Sequence, residues 1–200
     1  MKIAINGFGR IGRLVYRLME EDKFFDVVAI NDLSSSEELA YLFKYDTNHR
    51  TYDKNITFDE DGIIVDGKKT LVYREMDPSN LPWKELGIDL VFECTGKFTK
   101  EEDAMKHILA GAKKVLISAP GKGDMKTVVY NVNDDILTSE DKIVSAASCT
   151  TNCLAPIVKV LDDNFGIERG FMTTIHAYTN DQVTLDVSHK KGIKERRGRA

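Results

Sequence analysis

The residues best suited to do chemistry lie in the segment SCTTNCL, residues 148–154. Cys149 follows an apolar stretch and begins a helical pattern that stops at Gly166. The apolar residues of that pattern are Leu154, Ile157, Val158, Leu161 and Phe165. A thiol at a helix start faces unpaired N–H groups and the positive end of the helix dipole, which favour the thiolate and lower its pKa. Because most cysteines are small buried hydrophobes, the segment alone leaves a reactive and a structural Cys149 equally open.

A second chemical pattern lies near the N-terminus, where a short apolar strand runs directly into G-x-G-x-x-G. Gly7 would allow the tight turn, Gly9 the close approach of a pyrophosphate, and Gly12 the close packing of helix on strand. A second apolar strand ends at Asp32, 20 residues after Gly12, the spacing at which a carboxylate binds ribose hydroxyls. The pattern predicts a dinucleotide whose phosphates rest on the helix N-terminus. A glycine-rich turn without a ligand is the alternative.

The elements that position these residues alternate between strand and helix. We predict strands near 2–6, 27–31, 89–94, 114–118, 127–131 and 143–146, and helices near 10–21, 37–44 and 100–111. Residues 55–75 predict an antiparallel meander with turns at Asp61-Gly62 and Asp66-Gly67. The alternation predicts an α/β fold, a doubly wound parallel Rossmann sheet over residues 1–148. Residues 149–200 would begin an α+β catalytic domain, with a helix after Cys149 and a strand over Gly170–Tyr178.

Composition narrows the class of protein without naming one. A hydrophobic content of 42% and a net charge of −4 are typical of a folded protein and argue against a nucleic-acid binder. We see no stretch approaching the ~20 apolar residues of a membrane span, and no signal-like N-terminus. Three cysteines without a disulfide-like framework favour the reducing cytoplasm. We also see no pattern of metal ligands.

Six segments together resemble glyceraldehyde-3-phosphate dehydrogenase of the phosphorylating, bacterial type. They are INGFGRIGR at 5–13, NDL at 31–33, ECTG at 93–96, SAP at 118–120, ASCTTNCLAP at 147–156 and TIHAYT at 174–179. The resemblance covers essentially the whole chain in order, and the cysteine segment is close to diagnostic of the family. It implies a glycolytic, cytoplasmic homotetramer that uses NAD to convert D-glyceraldehyde 3-phosphate and inorganic phosphate into 1,3-bisphosphoglycerate.

The resemblance also implies roles for residues around the nucleophile. His176 would accept the proton of Cys149, whose thiolate attacks the aldehyde and, after hydride transfer to the nicotinamide, carries a thioester that phosphate cleaves. A lone histidine on a strand is otherwise more often a packed or surface residue. The residues implied at the two phosphate sites are Ser148, Cys149, Thr150, Thr179, Asp181 and Arg197. The basic run around Arg197 reads alternatively as a solvated loop.

The implied cofactor residues surround the glycine-rich turn and the strand ends. They are Gly7, Gly9, Arg10, Ile11, Gly12, Asp32, Met76, Thr95, Gly96, Phe98 and Ser118. Asp32 should repel the 2′-phosphate of NADP, so we expect NADP to be tolerated at most weakly. Ser188 stands where many NAD-specific members have proline, and this difference favours some use of NADP. Cys94 and Cys153 are predicted as buried structural thiols. The remaining histidines are predicted at the surface: His49, His107 and His189.

Two alternatives differ in function from this interpretation. Erythrose-4-phosphate dehydrogenase shares both motifs and differs mainly in how it handles the acyl intermediate. A catalytically silent NAD-binding scaffold would need neither Cys149 nor His176, and their joint presence argues against it. Because the resemblance breaks off within a long loop, we expect the 200 residues to be an N-terminal fragment that is inactive alone.

Overall fold

The computed structural model describes residues 1–179, and the chain divides into one unit of Met1–Val160 and another of Leu161–Ala200. The strands of the first unit are β1 (Lys2–Asn6), β2 (Asp26–Asn31), β3 (Tyr45–Asp46), β4 (Arg50–Thr51), β5 (Ile56–Asp59), β6 (Gly62–Val65), β7 (Lys68–Tyr73), β8 (Leu90–Glu93), β9 (Lys114–Ile117), β10 (Lys126–Thr127) and β11 (Ile143–Ser145). The helices are α1 (Arg10–Glu20), α2 (Ser36–Lys44), α3 (Trp83–Leu86), α4 (Glu101–Leu109) and α5 (Cys149–Phe165). Short 3₁₀ turns span Pro78–Asn80 and Asp134–Ile136. Within the described chain, none of these helices is both long and apolar enough to cross a bilayer.

The sheet described within residues 1–179 has nine strands in the order β10-β11-β9-β8-β1-β2-β7-β6-β5, and β3 pairs separately with β4. All neighbours are parallel except in the antiparallel meander β5-β6-β7. From β1 the chain winds one way through β2 and β7, then returns to β8 on the other side and winds outward. The predicted doubly wound parallel sheet is therefore confirmed. In such sheets ligands bind at the carboxyl ends of the strands where the winding reverses, here between β1 and β8.

Side-chain alternation along β1 sends its residues into two different cores. Ile3 and Ile5 pack with residues of α1 and α2, whereas Ala4 packs on the opposite face with residues of α3 and α4. The small Ala4 and Ala29 at the sheet centre leave room there for the large Trp83, which is fully buried. This two-sided burial fixes the register of β1, whose last residue Asn6 then enters the site.

The predicted meander forms, with one addition. Asp66 and Gly67 both have positive φ, 48° and 87°, as the type I′ turn of a tight hairpin requires. The edge of β7 opposite β6 pairs in parallel with β2, with Ala29 opposite Leu71. The meander therefore extends the main sheet. Sequence patterning marks the hairpins, which are local, but does not reveal this longer-range pairing.

The strand predicted over 127–131 is wrong beyond Thr127, because β10 covers Lys126–Thr127 alone. The Val128 N–H still donates to the Ser145 carbonyl of β11, and the side chain of Asn133 binds the other edge of this segment. Its Oδ1 accepts from the Val129 N–H at 2.8 Å, and its Nδ2 donates to the Thr127 carbonyl at 3.1 Å. Asn131 then turns the chain with a φ of 58°. Asparagine side chains commonly bind nearby backbone groups and favour turns in this way.

The helix predicted after Cys149 is confirmed as α5, and Gly166 follows it with a left-handed φ of 71°. The strand predicted over Gly170–Tyr178 is wrong: residues 170–178 have no regular structure. Phe171 and Ile175 are fully exposed, at 104% and 102%. A strand is stabilised by hydrogen bonds to a neighbour and by burial of one face, and within residues 1–179 this segment has no paired strand.

Candidate functional site

A cleft of about 510 Å³ opens where β1, β2 and β8 end. Its lining residues are Asn6, Gly7, Gly9, Asn31, Asp32, Leu33, Glu75, Met76, Cys94, Thr95, Lys97 and Phe98. The volume is typical of sites for small organic ligands and cofactors. The cleft lies at the reversal of strand winding, the position at which doubly wound sheets bind dinucleotides.

The three motif glycines shape one wall of the cleft in different ways. Gly7 has a φ of 91°, and a Cβ there would lie 2.7 Å from the Thr95 nitrogen. A Cβ on Gly12 would lie 2.2 Å from the Gly7 carbonyl oxygen, so α1 packs on the turn only because Gly12 has no side chain. A Cβ on Gly9 would meet nothing within 4 Å among the described residues, because this position faces open space. A phosphate could therefore come close to the backbone at Gly9.

The N-terminus of α1 is open to an anion. Gly9 occupies the N-cap position, and in the described structure the first turn has no side-chain cap. The first-turn N–H groups of a helix have no partner within the helix and bind phosphate well. The Arg10 side chain pairs with Asp46, its Nη1 lying 3.3 Å from Oδ2 of that buried carboxylate. Arg10 and Ile11 thus present backbone N–H groups to a ligand.

Asp32, at the end of β2, is held by two backbone donors. Its Oδ2 accepts from the Phe8 N–H at 2.8 Å and its Oδ1 from the Ser34 N–H at 3.0 Å. The first bond ties the carboxylate to the glycine-rich turn. Each carboxylate oxygen has a second lone pair, so both can still accept from a ribose hydroxyl. The half-buried Asp32 is thus a fixed acceptor on the wall of the cleft.

The other predicted cofactor residues lie on or beside the opposite wall. Thr95 and Phe98 line the cleft, and Gly96 between them has a φ of 68°. The Thr95 hydroxyl accepts from the Lys97 N–H at 3.0 Å, which closes this turn. Ser118, after β9, donates to the Glu93 carbonyl at 3.1 Å. Met76 lines the cleft with 77% of its surface exposed.

The histidine prediction is wrong for His107, which is fully buried beneath the cleft rather than at the surface. Its Nε2 lies 3.1 Å from the carboxylate of Glu93, which is also buried. Sequence analysis missed both residues. The available signal was a glutamate inside the otherwise apolar strand LVFEC, since such a charge is seldom buried without partners.

The cysteine segment begins α5 with a side-chain cap. The Ser148 hydroxyl accepts from the Thr151 N–H at 3.0 Å, which makes Ser148 the N-cap and Cys149 the first helical residue. The turn before it is fixed by Asn152, whose Nδ2 donates to the Ala146 carbonyl at 2.8 Å and to the Ser148 carbonyl at 2.9 Å. Cys149 is exposed, and Thr150 is half-buried in the same turn.

The other two cysteines differ from each other in burial. Cys153 is exposed, so its predicted burial is wrong. Cys94 is half-buried beside the cleft, and burial of the sulfur raises the pKa of its thiol to about 12 in spite of a hydrogen bond with Ser118. Cys94 is therefore a protonated, unreactive thiol at neutral pH.

The remaining predicted site residues belong to the second unit or lie outside the described residues. His176 and Thr179 are exposed in the irregular segment after α5, and the His176 Nδ1 lies 2.5 Å from the Ala177 carbonyl oxygen. Asp181 and Arg197 lie outside the described residues. The pairing of Cys149 with His176 and the phosphate sites stay predictions, as do the domain bounds. Residues 1–179 contain no group of three or more His, Cys, Asp or Glu residues that could hold a metal ion.

Two family models match this chain. The model described as the NAD binding domain of glyceraldehyde 3-phosphate dehydrogenase matches residues 1–101. The model of the C-terminal domain of the same enzyme matches residues 148–200.

Curated relatives carry the same name. A glyceraldehyde-3-phosphate dehydrogenase from Clostridium pasteurianum is 59% identical over 191 residues, which is 96% of this chain and 57% of that protein. One from Clostridium acetobutylicum is 58% identical, with the same coverage. Glyceraldehyde-3-phosphate dehydrogenase 2 from Bacillus subtilis is 57% identical over 95% of this chain and 56% of its own length. The chain thus spans little more than half the length of these relatives.

Proposed function

Because this chain belongs to the glyceraldehyde-3-phosphate dehydrogenase family, we propose that its protein oxidises and phosphorylates D-glyceraldehyde 3-phosphate with NAD. The observation that carries the proposal is Cys149, an exposed thiol at the first position of α5. The same sheet that leads into α5 through β11 presents the dinucleotide cleft at β1, β2 and β8. A nucleophile and a cofactor site on one scaffold fit an oxidoreductase that works through a covalent intermediate.

NAD fits the cleft on structural grounds. Asp32 offers two oriented carboxylate oxygens to the adenosine ribose, and the uncapped N-terminus of α1 offers N–H groups to the pyrophosphate. Gly9 leaves the approach open, whereas Thr95 and Phe98 form the other wall. When bound, NAD supplies the two-electron acceptor of the reaction.

The covalent chemistry belongs to Cys149. Its thiolate attacks the aldehyde carbonyl and forms a thiohemiacetal; loss of hydride converts this into a thioester. An oxygen of inorganic phosphate then attacks the thioester carbonyl, and the carbon–sulfur bond breaks to release the acyl phosphate and the Cys149 thiolate. His176 would accept the thiol proton at the start, return it to the carbonyl oxygen as the thiohemiacetal forms, and accept the hydroxyl proton when the hydride leaves for bound NAD. The Cys149 N–H at the helix start and the His176 ring would stabilise the oxyanion.

The substrate sites and the assembly complete the proposal. Ser148 and Thr150 flank the nucleophile and would bind substrate phosphate or inorganic phosphate through hydroxyl groups. Thr179 and Arg197 would contribute to the same anion sites, with Asp181 orienting a cation. We propose a cytoplasmic homotetramer that acts in glycolysis.

The proposal is tested by Cys149→Ser in the full-length protein. Turnover should fall by several orders of magnitude while NAD binding is retained, because the thiol reacts covalently but lies outside the residues that would hold the dinucleotide. NADH formation gives the rate and calorimetry gives the NAD dissociation constant. Cys153→Ser is the matched control, one helical turn away and also exposed, and should keep its activity. A fully active Cys149→Ser variant would rule out the covalent route.

Two further assays define the substrates. Omitting inorganic phosphate shows whether it is the acyl acceptor, and offering erythrose 4-phosphate shows which aldehyde is preferred.

A further inference from the structure

Four hydrogen-bond donors converge on the carboxylate of Glu93, at the end of β8. The residue is 1% exposed and does not itself line the cleft. Its Oε2 accepts from the Asn6 Nδ2 at 2.5 Å and from the His107 Nε2 at 3.1 Å. Its Oε1 accepts from the Thr95 N–H at 2.8 Å and from the Thr95 hydroxyl. The carboxylate thus links β8, β1, α4 and the turn that follows β8.

The tautomer of His107 follows from its other partner. The Trp83 indole N–H lies 3.0 Å from the His107 Nδ1. An indole nitrogen can only donate, so Nδ1 must accept, and the ring hydrogen is on Nε2, facing Glu93. Trp83 and His107 are both fully buried, and their ring planes are 23° apart with centroids separated by 6.4 Å. The ring that supports Glu93 is therefore fixed in both orientation and hydrogen-bonding role.

The hydrogen bonds continue from Glu93 across the floor of the cleft. The Asn6 Oδ1 accepts from the Asn31 Nδ2 at 2.7 Å. The Asn31 side chain then holds the loop after β7, because its Oδ1 accepts from the Glu75 N–H at 2.8 Å and its Nδ2 donates to the Glu75 carbonyl at 2.9 Å. We call Trp83, His107, Glu93, Asn6 and Asn31 the strand-end network. It spans the ends of β8, β1 and β2. The cleft depends on the spacing of these same three strand ends.

We propose that Glu93 is a positioning residue for dinucleotide binding, which sets the Asn6 side chain and the Thr95 turn from beneath the cleft. The inference rests on the proposed function, since it assigns Glu93 a part in building the NAD site. Burying a carboxylate is costly, and here all four donors need an acceptor. A glutamine could serve only one side, because its NH₂ group would face either the Thr95 donors or those of Asn6 and His107.

Glu93→Gln is the first test. The donors left facing the amide should shift Asn6 or the Thr95 turn, and the dissociation constant of NAD should rise about tenfold or more. Calorimetric titration with NAD measures it. The matched control is Tyr16→Phe, which removes another fully buried hydrogen bond. In that bond the Tyr16 hydroxyl lies 2.6 Å from the Thr70 hydroxyl, outside the cleft. This variant should lose stability but keep the wild-type NAD affinity.

A rescue variant separates positioning from general damage to the fold. Adding Asn6→Asp to Glu93→Gln reverses the bond between the two side chains, so that the amide of residue 93 donates and the carboxylate of residue 6 accepts. The His107 Nε2 lies 3.4 Å from the Asn6 Nδ2, so without any turn of the ring its N–H has a carboxylate oxygen of residue 6 within reach, in place of the lost Glu93 oxygen. The remaining glutamine oxygen still accepts from Thr95. The double variant should recover most of the NAD affinity, whereas Asn6→Asp alone places two carboxylates together and should not.

The outcomes are distinct for each hypothesis. Wild-type NAD binding, a weakened Glu93→Gln and a recovered double variant support both the proposed function and the role of Glu93. If Glu93→Gln binds NAD as tightly as wild type, or if Tyr16→Phe loses as much affinity, the positioning role is overturned while the NAD site stands. Failure of the unaltered protein to bind NAD would overturn both. Trp83 is the single tryptophan of the sequence, so its indole N–H resonance shows whether each variant keeps the network.

Discussion

Asp32 combines two tasks at a single residue. It caps the turn after β2 through Ser34 and holds the glycine-rich turn through Phe8, and it also lines the cleft. An acceptor placed by two backbone donors needs no reorganisation when a ribose binds. Its charge also excludes a phosphate at that position, since like charges in contact cost several kcal/mol. On the proposed function, affinity for NAD and discrimination against NADP would come from the same carboxylate.

We therefore expect Asp32→Asn to narrow the preference for NAD over NADP. The asparagine keeps the size and one acceptor oxygen but removes the charge that repels the 2′-phosphate, so the ratio of kcat/KM values should fall about tenfold or more. Asp32→Gly should weaken NAD further, because Phe8 and Ser34 then lose their acceptor. An enzyme that already uses NADP as efficiently as NAD would show that Asp32 does not meet the ribose.

The three cysteines should also differ in reactivity. With iodoacetamide at neutral pH, Cys149 should react fastest, because a helix N-terminus favours its thiolate. Cys153 is exposed and should react more slowly, at the rate of an ordinary thiol. Cys94 should react slowest, because burial raises its pKa to about 12. Mass spectrometry of the labelled peptides over time gives the order, and preferential labelling of Cys94 or Cys153 would contradict it.

At the scale of elements, two glycines of the strand–turn–helix unit β1–α1 have different roles: Gly12 lets the helix pack on the turn, and Gly9 leaves room for the ligand. Gly12→Ala should destabilise the fold by about 3 kcal/mol, because its Cβ would lie 2.2 Å from the Gly7 carbonyl oxygen. Gly9→Ala should leave the melting temperature nearly unchanged, since a Cβ there faces open space, yet it should weaken NAD binding by blocking the pyrophosphate. Thermal unfolding and NAD titration of both variants test this. Equal loss of stability in the two would remove the distinction.

The loop between β10 and β11 depends on Asp141. Its Oδ2 accepts from the Lys126 ammonium at 2.8 Å and from the Thr138 N–H at 2.6 Å, and the hydrogen bond from Lys126 is the main cause that lowers its pKa to about 2. A carboxyl whose folded pKa lies below its ordinary 3.8 stabilises the fold above that pH and loses the contribution as pH falls toward 2. The melting temperature of wild type should therefore exceed that of Asp141→Asn at neutral pH, and the difference should shrink as the pH falls from about 4 toward 2. A difference that is independent of pH would contradict this origin.

How far the sequence predicts these elements depends on how local their causes are. The start of α1, the stop at Gly166 and the turn at Asp66-Gly67 are set by neighbouring residues, and all were predictable. The Glu93–His107 contact depends on folding β8 against α4, so a motif search does not find it. Where β10 ends, the chain turns at Asn131 and is bound by the Asn133 side chain, contacts that alternation does not reveal. The segment after Gly166 has strand-like alternation, but pairing decides whether a strand forms.

At the scale of the molecule, one face of the sheet carries an apolar hollow of about 360 Å³. Its apolar lining comes from β8, β9, β11 and the loop after β10: Leu90, Val115, Leu116, Val128, Tyr130, Leu137, Val144 and Ala146. Parallel sheets normally have both faces covered. We expect the chain to bind an apolar dye such as ANS here. Leu137→Ser should reduce the dye fluorescence, whereas Leu109→Ser, exposed at the end of α4 and outside the hollow, should not.

The position of β1 has a consequence for how the chain is made. β1 pairs with β2 soon after it leaves the ribosome, but its other edge must wait for β8, since Ile3 lies opposite Leu90. At ordinary rates of synthesis this delay is on the order of ten seconds. The glycine-rich turn waits equally long, because Gly7 packs against Thr95. The nascent chain therefore passes through a stage in which one edge of β1 is unpaired and the dinucleotide site is incomplete, so a bound cofactor cannot stabilise it then.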